Sequence, residues 1–394
     1  MAEFQTFARW RQKGEESPAL VEPAAAAAPP PVAQPAPARP DDELMEDICG
    51  RLRRFRALLD DLIELPMLGS AALGRAIDAE GNLLDAGAPS PARRRAIDAP
   101  LWTGVRCIDT LLTIGRGARV GIFGAPGAGK STLLETIARG TRADAIAIGL
   151  VGERGREAQR WIASSDDRTT VICATSDRPA LERVRAGEML MMHAGALARR
   201  GLHVLVVLDS LARYANALRE VAVERGESVG RGGFPPSVFA RIAQLVERAG
   251  AFQFGSITLL ATVLNDGDDH DPVSESARSL LDGHLQLSPR LAQAGRFPAI
   301  DVLASASRTM DAVVAPGHLA AAAAVRAALA RLERSEDARS LGIEPVDAAT
   351  RVAIDAEEAL EALLRQGREP VAPAAALEAL RRIADTLGVP HGHH

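Results

Sequence analysis

The stretch that most constrains this chain is Gly124-Ala-Pro-Gly-Ala-Gly-Lys-Ser131, which fits the spacing G-x-x-x-x-G-K-[ST] at every fixed position. Before it, Arg119-Val-Gly-Ile-Phe123 reads as a short buried strand; after it, Leu133 onward reads as a helix. Strand, glycine loop and helix in that order form a cradle. Glycines let backbone N–H groups curl around phosphate oxygens, and the helix turns its positive end toward them. The candidate nucleotide-binding residues are Gly124, Ala125, Pro126, Gly127, Ala128, Gly129, Lys130, Ser131 and Thr132. Lys130 would reach the outer phosphates, and the Ser131 hydroxyl would sit on Mg²⁺. A chance glycine turn accounts for the loop but not for its flanks. The pattern predicts a nucleoside triphosphate site.

Downstream, apolar strand patterns alternate with helical ones. Strands are predicted at Ala145–Val151, Thr169–Ala174, Leu202–Leu208, Ser256–Val263, Leu285–Leu287 and Ile300–Leu303. Helices are predicted near 130–139, 179–200, 211–224, 237–249 and 274–281, through most of 315–390, and from the stretch Gly152–Glu157 to about 164. This alternation implies an α/β fold, a mostly parallel sheet covered by helices on both faces. Aromatic residues make up 3% of the chain against 47% hydrophobic residues in all, so Ala, Leu, Val and Ile must fill the core.

Upstream the pattern is thinner. Residues 1–22 read as a tail, 23–40 as an Ala/Pro linker, and 42–65 as one amphipathic helix. Residues 69–115 read as strands and turns, with a hairpin-like pattern over 74–84. The predicted division is 1–40 tail and linker, 41–101 helix plus a truncated β segment, 102–314 nucleotide-binding domain, and 315–394 small helical domain. A net charge of −5 gives no support to a nucleic-acid binder, which would show a basic domain. Cys49, Cys107 and Cys173 lie too far apart for a zinc spacing or a disulfide framework, which fits a reducing cytoplasm. No uninterrupted apolar run long enough to span a membrane occurs, nor does a leading signal segment.

Asp209 ends the run Val204–Leu208, where a buried strand delivers a carboxylate to a nucleotide's Mg²⁺, partly through water. Glu153 follows the strand before it and could orient the water that attacks the γ-phosphate. Arg154, Arg156 and Glu157 beside it also fit a structural ion-pair cluster; the spacing to the phosphate loop favours catalysis. Arg308, just past the last strand, reads either as a surface arginine or as one that disperses phosphate charge from a neighbouring molecule. His270 among Asp266, Asp268, Asp269 and Asp271 departs from the EF-hand spacing and reads as a solvated loop, and the terminal histidines His391, His393 and His394 read as a tail.

From about Gly74 to Gln366 the chain resembles the ATPases of type III protein secretion, including the flagellar export ATPase, relatives of the catalytic subunits of rotary ATP synthases. The resemblance rests on the phosphate loop and on several ordered stretches. They are Thr103-Gly-Val-Arg-Cys-Ile-Asp109, Gly152-Glu-Arg-Gly-Arg-Glu157, Ala174-Thr-Ser-Asp177, Leu208-Asp-Ser-Leu-Ala-Arg-Tyr214 and Pro235-Pro-Ser-Val-Phe239. Further along come Leu245-Val-Glu-Arg-Ala-Gly250, Arg278-Ser-Leu-Leu-Asp-Gly-His284 and Phe297-Pro-Ala-Ile-Asp301.

It implies a P-loop (RecA-like) core that binds ATP and Mg²⁺. Lys130 and Ser131 would lie on the phosphates and metal, Glu153 would be the catalytic carboxylate and Glu157 would stand near the metal. Asp209 would be the metal-side aspartate, and Arg308 would reach the neighbouring subunit's nucleotide. It also implies a homohexamer at the inner face of the bacterial cytoplasmic membrane, meeting stator or stalk subunits, an export gate and chaperone–substrate complexes. Two departures stand out. The family's N-terminal barrel is reduced here to about 74–101, which shifts ring assembly onto the ATPase faces. The family's adenine-stacking Tyr is expected near 343–344, where this chain has Ile343-Glu344.

A low-turnover nucleotide-binding scaffold of the same machine is the alternative, and the complete set Lys130, Glu153, Asp209 and Arg308 argues against it. An RNA-translocating hexamer of the Rho type would need stacking aromatics in its N-terminal part. Residues 1–100 offer only Phe4, Phe7, Trp10 and Phe55.

Overall fold

The computed structural model describes residues 94–264, 271–343 and 347–388. The tail, the linker, the helix at 42–65 and the hairpin over 74–84 lie outside the described residues. So do Asp266, Asp268, Asp269 and His270, Glu344, and the terminal histidines. Asp271 is described, and it serves as a helix cap: its carboxylate accepts hydrogen bonds from the Ser274 N–H (2.9 Å) and hydroxyl (2.7 Å).

In chain order the elements begin with β1 (Pro100–Leu101), α1 (Arg106–Leu111), β2 (Ile114–Gly115) and β3 (Arg119–Gly124). Then come α2 (Lys130–Gly140), β4 (Ala145–Val151), α3 (Gly155–Ser164), β5 (Thr169–Ala174), α4 (Ala180–Arg199), β6 (His203–Asp209) and α5 (Leu211–Glu224). They continue with α6 (Pro236–Val246), β7 (Gly250–Ala251), β8 (Ser256–Leu264), α7 (Pro272–Leu280), β9 (Gly283–Leu287), α8 (Pro289–Gln293) and β10 (Ile300–Ser307). The last are α9 (Met310–Val313), α10 (Pro316–Ser340), α11 (Ala348–Asp355), α12 (Glu357–Leu364) and α13 (Pro373–Thr386).

The main sheet runs β10-β9-β3-β8-β6-β4-β5, with β7 paired to β8. From β9 through β5 every neighbouring pair is parallel, and β10 closes one edge antiparallel to β9. Parallel strands buried on both faces must be apolar on both, and the alternation shows it. In β4, Ile146, Ile148 and Leu150 face one core while Ala145, Ala147 and Val151 face the other. The first core takes in α1, α2 and α3, and also Val325, Leu360 and Leu380 of the C-terminal helices. The second is closed by α4, α5, α6 and α7.

The segment before β3 differs from the sequence reading, and β10 runs on to Ser307, past the predicted Leu303. Within 94–115, read as strands and turns, Arg106–Leu111 is helical. The Asp109 carboxylate turns back and accepts from Thr103 N–H (2.8 Å), Thr103 hydroxyl (2.7 Å) and Gly104 N–H (3.0 Å). That clasp starts a helix of 6 residues, too short to display a 3.6-residue period.

Candidate active site

The phosphate loop joins β3 to α2 as its spacing predicts. Gly129 takes φ +92 at the helix cap, a left-handed conformation open to glycine and strained for a side chain. Lys130 opens α2 and folds back over the loop, its ammonium donating to the carbonyls of Gly124 (2.5 Å) and Ala125 (2.9 Å). Ser131 follows it, half-buried.

Two parallel strands deliver the carboxylates to the same end of the sheet. Glu153 lies just past β4 and Asp209 ends β6, and both are buried. With Glu157, one turn into α3, they present carboxylate oxygens within 4.8 Å of one another. The Thr262 hydroxyl of β8 donates to Asp209 (2.5 Å), and the Arg213 guanidinium of α5 pairs with Glu153 (2.8 Å) and also donates to the Gly152 carbonyl. Arg154 and Arg156 are exposed, so the charge partner of Glu153 is Arg213.

Burial pushes the Glu153 carboxyl up to about 8, and the nearby Asp209 charge and a hydrogen bond shared with Glu157 push the same way against Arg213. Burial likewise raises Asp209, opposed by the Thr262 hydroxyl and by the charges of Arg213 and Lys130. Three crowded carboxylates form an all-oxygen donor set that suits a hard divalent cation such as Mg²⁺. The residues fit the ion.

Beside the loop opens a cleft of about 670 Å³. The loop side supplies Gly127, Gly129, Thr132 and Thr136; the opposite wall is Phe297, Pro298 and the segment Arg365–Arg368 that follows α12. Phe297 is half-exposed into this space, at the end of a cis Phe297–Pro298 peptide. Ile343, where the family's Tyr would stand, is an exposed residue after α10, and the ring that lines the cleft beside the phosphate loop is Phe297. Residues far apart in sequence close around a single space, so counting along the chain from the loop could not locate the ring. The wall is pinned by Gln366. Its backbone N–H donates to the Phe297 carbonyl (2.8 Å), and its side chain bonds Arg106 N–H (2.8 Å) and the Gly104 carbonyl (2.8 Å).

Arg308 is exposed and stands apart from this group. It follows β10, which runs antiparallel to β9, so it lies beside the start of β3, while the phosphate loop leaves the other end. At roughly 3.3 Å per residue, the length of β3 separates the two. The structure therefore gathers Lys130, Glu153, Glu157 and Asp209 and leaves Arg308 out. Sequence reasoning missed Arg213, Thr262, Phe297 and Gln366. Arg213 and Phe297 lay in stretches quoted for the resemblance, and that was the available signal.

The nucleotide-binding domain of the ATP synthase alpha/beta family matches residues 104–307. The type 3 secretion system ATPase of Xanthomonas euvesicatoria is 44% identical over 321 residues, 76% of this chain and 73% of that protein. The flagellum-specific ATP synthase of Salmonella typhimurium is 44% identical over 329 residues, 77% of this chain and 72% of its own. Among solved structures, the assembled ATPase EscN of enteropathogenic E. coli, in complex with its central stalk EscO, superposes with a TM-score of 0.71 at 39% identity, covering 80% of this chain and 82% of that one. The chain belongs to the type III secretion and flagellar export ATPases, within the ATP synthase alpha/beta family.

Proposed function

We propose that this ATPase works as a ring of six copies at the inner face of the bacterial cytoplasmic membrane, using ATP hydrolysis to release chaperones and to unfold and export proteins through a type III secretion or flagellar apparatus. The observation that carries the reading is the incomplete site. Each chain assembles a phosphate cradle and carboxylates at one end of its sheet and carries Arg308, exposed, at the other. Side by side in a ring, such chains would complete one another's sites.

In this reading Lys130 leaves its loop carbonyls for the outer phosphates, and Phe297 stacks on the base. Ser131 and Asp209 would hold Mg²⁺ with Glu157 close by, and the ion would neutralise phosphate charge and favour the ionised form of Glu153. Glu153, steadied by Arg213, orients the attacking water and accepts its proton. Arg308 of the next copy disperses the charge that builds on the γ-phosphate oxygens. A stalk partner follows by analogy with EscN and EscO, and the export gate is the further partner. Among the described residues no helix is long and apolar enough to cross a membrane.

Glu153→Gln tests the chemistry. It keeps the cradle and removes the base, so MgATP binding should persist while phosphate release falls on the order of 10²–10⁴-fold. Undiminished turnover in the variant would remove Glu153 from the mechanism.

A further inference from the structure

The stretch Arg278-Ser-Leu-Leu-Asp-Gly-His284 contributes nothing to the cleft, yet it grips both ends of the strand that carries the phosphate loop. At the loop end, the Arg278 guanidinium carbon lies 4.3 Å from the ring centroid of Phe123, the residue before Gly124. The same ring meets His284 edge-on at 6.2 Å. At the other end Asp282 holds the root of β3 twice. Its carboxylate accepts from Arg119 N–H (2.9 Å), and its own N–H donates to the Arg119 carbonyl (2.7 Å). The Asp282 carbonyl then accepts the backbone N–H of Arg308 (2.8 Å). One residue thus stands between the root of the phosphate-loop strand and the arginine at the far end of the sheet.

We propose that Asp282 is a positioning residue that fixes Arg308 relative to the strand of the subunit's own phosphate loop. This rests on the reading that Arg308 serves the neighbouring copy. The physical reason is local. Without its carboxylate, the turn entering β9 meets the root of β3 through the Asp282 main chain and the β3–β9 ladder alone, and the Arg308 N–H, between Ser307 and Thr309 held on Thr113 and Gly115, is tied to that turn by one backbone bond. A small displacement of a charge-dispersing group lowers the rate of the chemical step while leaving ground-state binding intact. The same link would let a shift of one phosphate-loop strand move the arginine offered to the next site.

The test is Asp282→Ala in the full chain, with three readouts. Its kcat should fall about tenfold or more, with MgATP affinity within about twofold of wild type. Asp282→Asn, which keeps an acceptor for the Arg119 N–H, should restore most of the rate. In mixed rings, Asp282→Ala should recover activity with Lys130→Ala, whose arginine is intact, and not with Arg308→Ala. Recovery with Arg308→Ala instead, an unchanged kcat, or an affinity loss as large as the rate loss would overturn the proposal. Asp282→Ser, whose hydroxyl falls short of Arg119, carries the same expectations should the alanine variant not fold. Failure of Lys130→Ala to complement Arg308→Ala would strike the underlying trans reading, a separate outcome.

Discussion

Glu153 carries the tension of the site. A carboxyl that burial and two neighbouring acids push up to about 8 is poised to give up its proton when positive charge arrives, and Arg213 keeps it aimed meanwhile. Phe297 plays the opposite part: it has no charge to tune, only a face to offer. Base–aromatic stacking is worth about 1–3 kcal/mol in alanine substitutions. Phe297→Ala should therefore weaken ATP binding roughly five- to a hundredfold and leave the affinity for inorganic tripolyphosphate unchanged. Equal losses for both ligands would mean that the ring supports the loop and does not hold the base. At this scale the loop and the two strand-borne carboxylates were legible, because fixed spacing and strand ends announce them. Phe297, Arg213 and Gln366 were not, since each works through contacts with residues remote in sequence.

At the scale of elements, the long strands and helices were readable because their apolar periods are long. β5 (Thr169–Ala174) and α5 (Leu211–Glu224) have the bounds that the pattern predicts. The short α1 was hidden, being held by a carboxylate clasp and not by a stripe. The strand ends opposite the active site carry their own chemistry. His203, which opens β6, is buried with Nδ1 2.6 Å from the Ser256 hydroxyl, and its backbone N–H donates to Asp144 (2.7 Å). Burial, helped by the Arg116 charge, lowers this imidazole from 6.5 to about 4. The folded protein keeps it neutral where the unfolded chain is already protonated. Its contribution is thus intact above about 6.5 and is lost as pH falls toward about 4. Melting temperatures of wild type and His203→Gln across pH 7 to 4 should show the steeper acid loss in wild type. Parallel curves would show that His203 does not titrate on unfolding.

At the scale of the whole molecule, the ATPase fold and the C-terminal helices share one core, and Gln366 ties the segment after α12 to the wall of the cleft. Whatever fills that cleft touches the phosphate loop and the helical part together. Carboxylates and cradle lie at one end of the sheet and Arg308 at the other, and in the proposed ring the arginine of one copy serves the site of the next. Rings mixed from Lys130→Ala and Arg308→Ala subunits test it most directly. Each variant alone should be inactive. Random assortment puts an intact loop against an intact arginine at roughly a quarter of the interfaces, so phosphate release should return to about that fraction of wild type. Mixed rings, verified by tagging both subunits, that stay as inactive as either parent would contradict the claim.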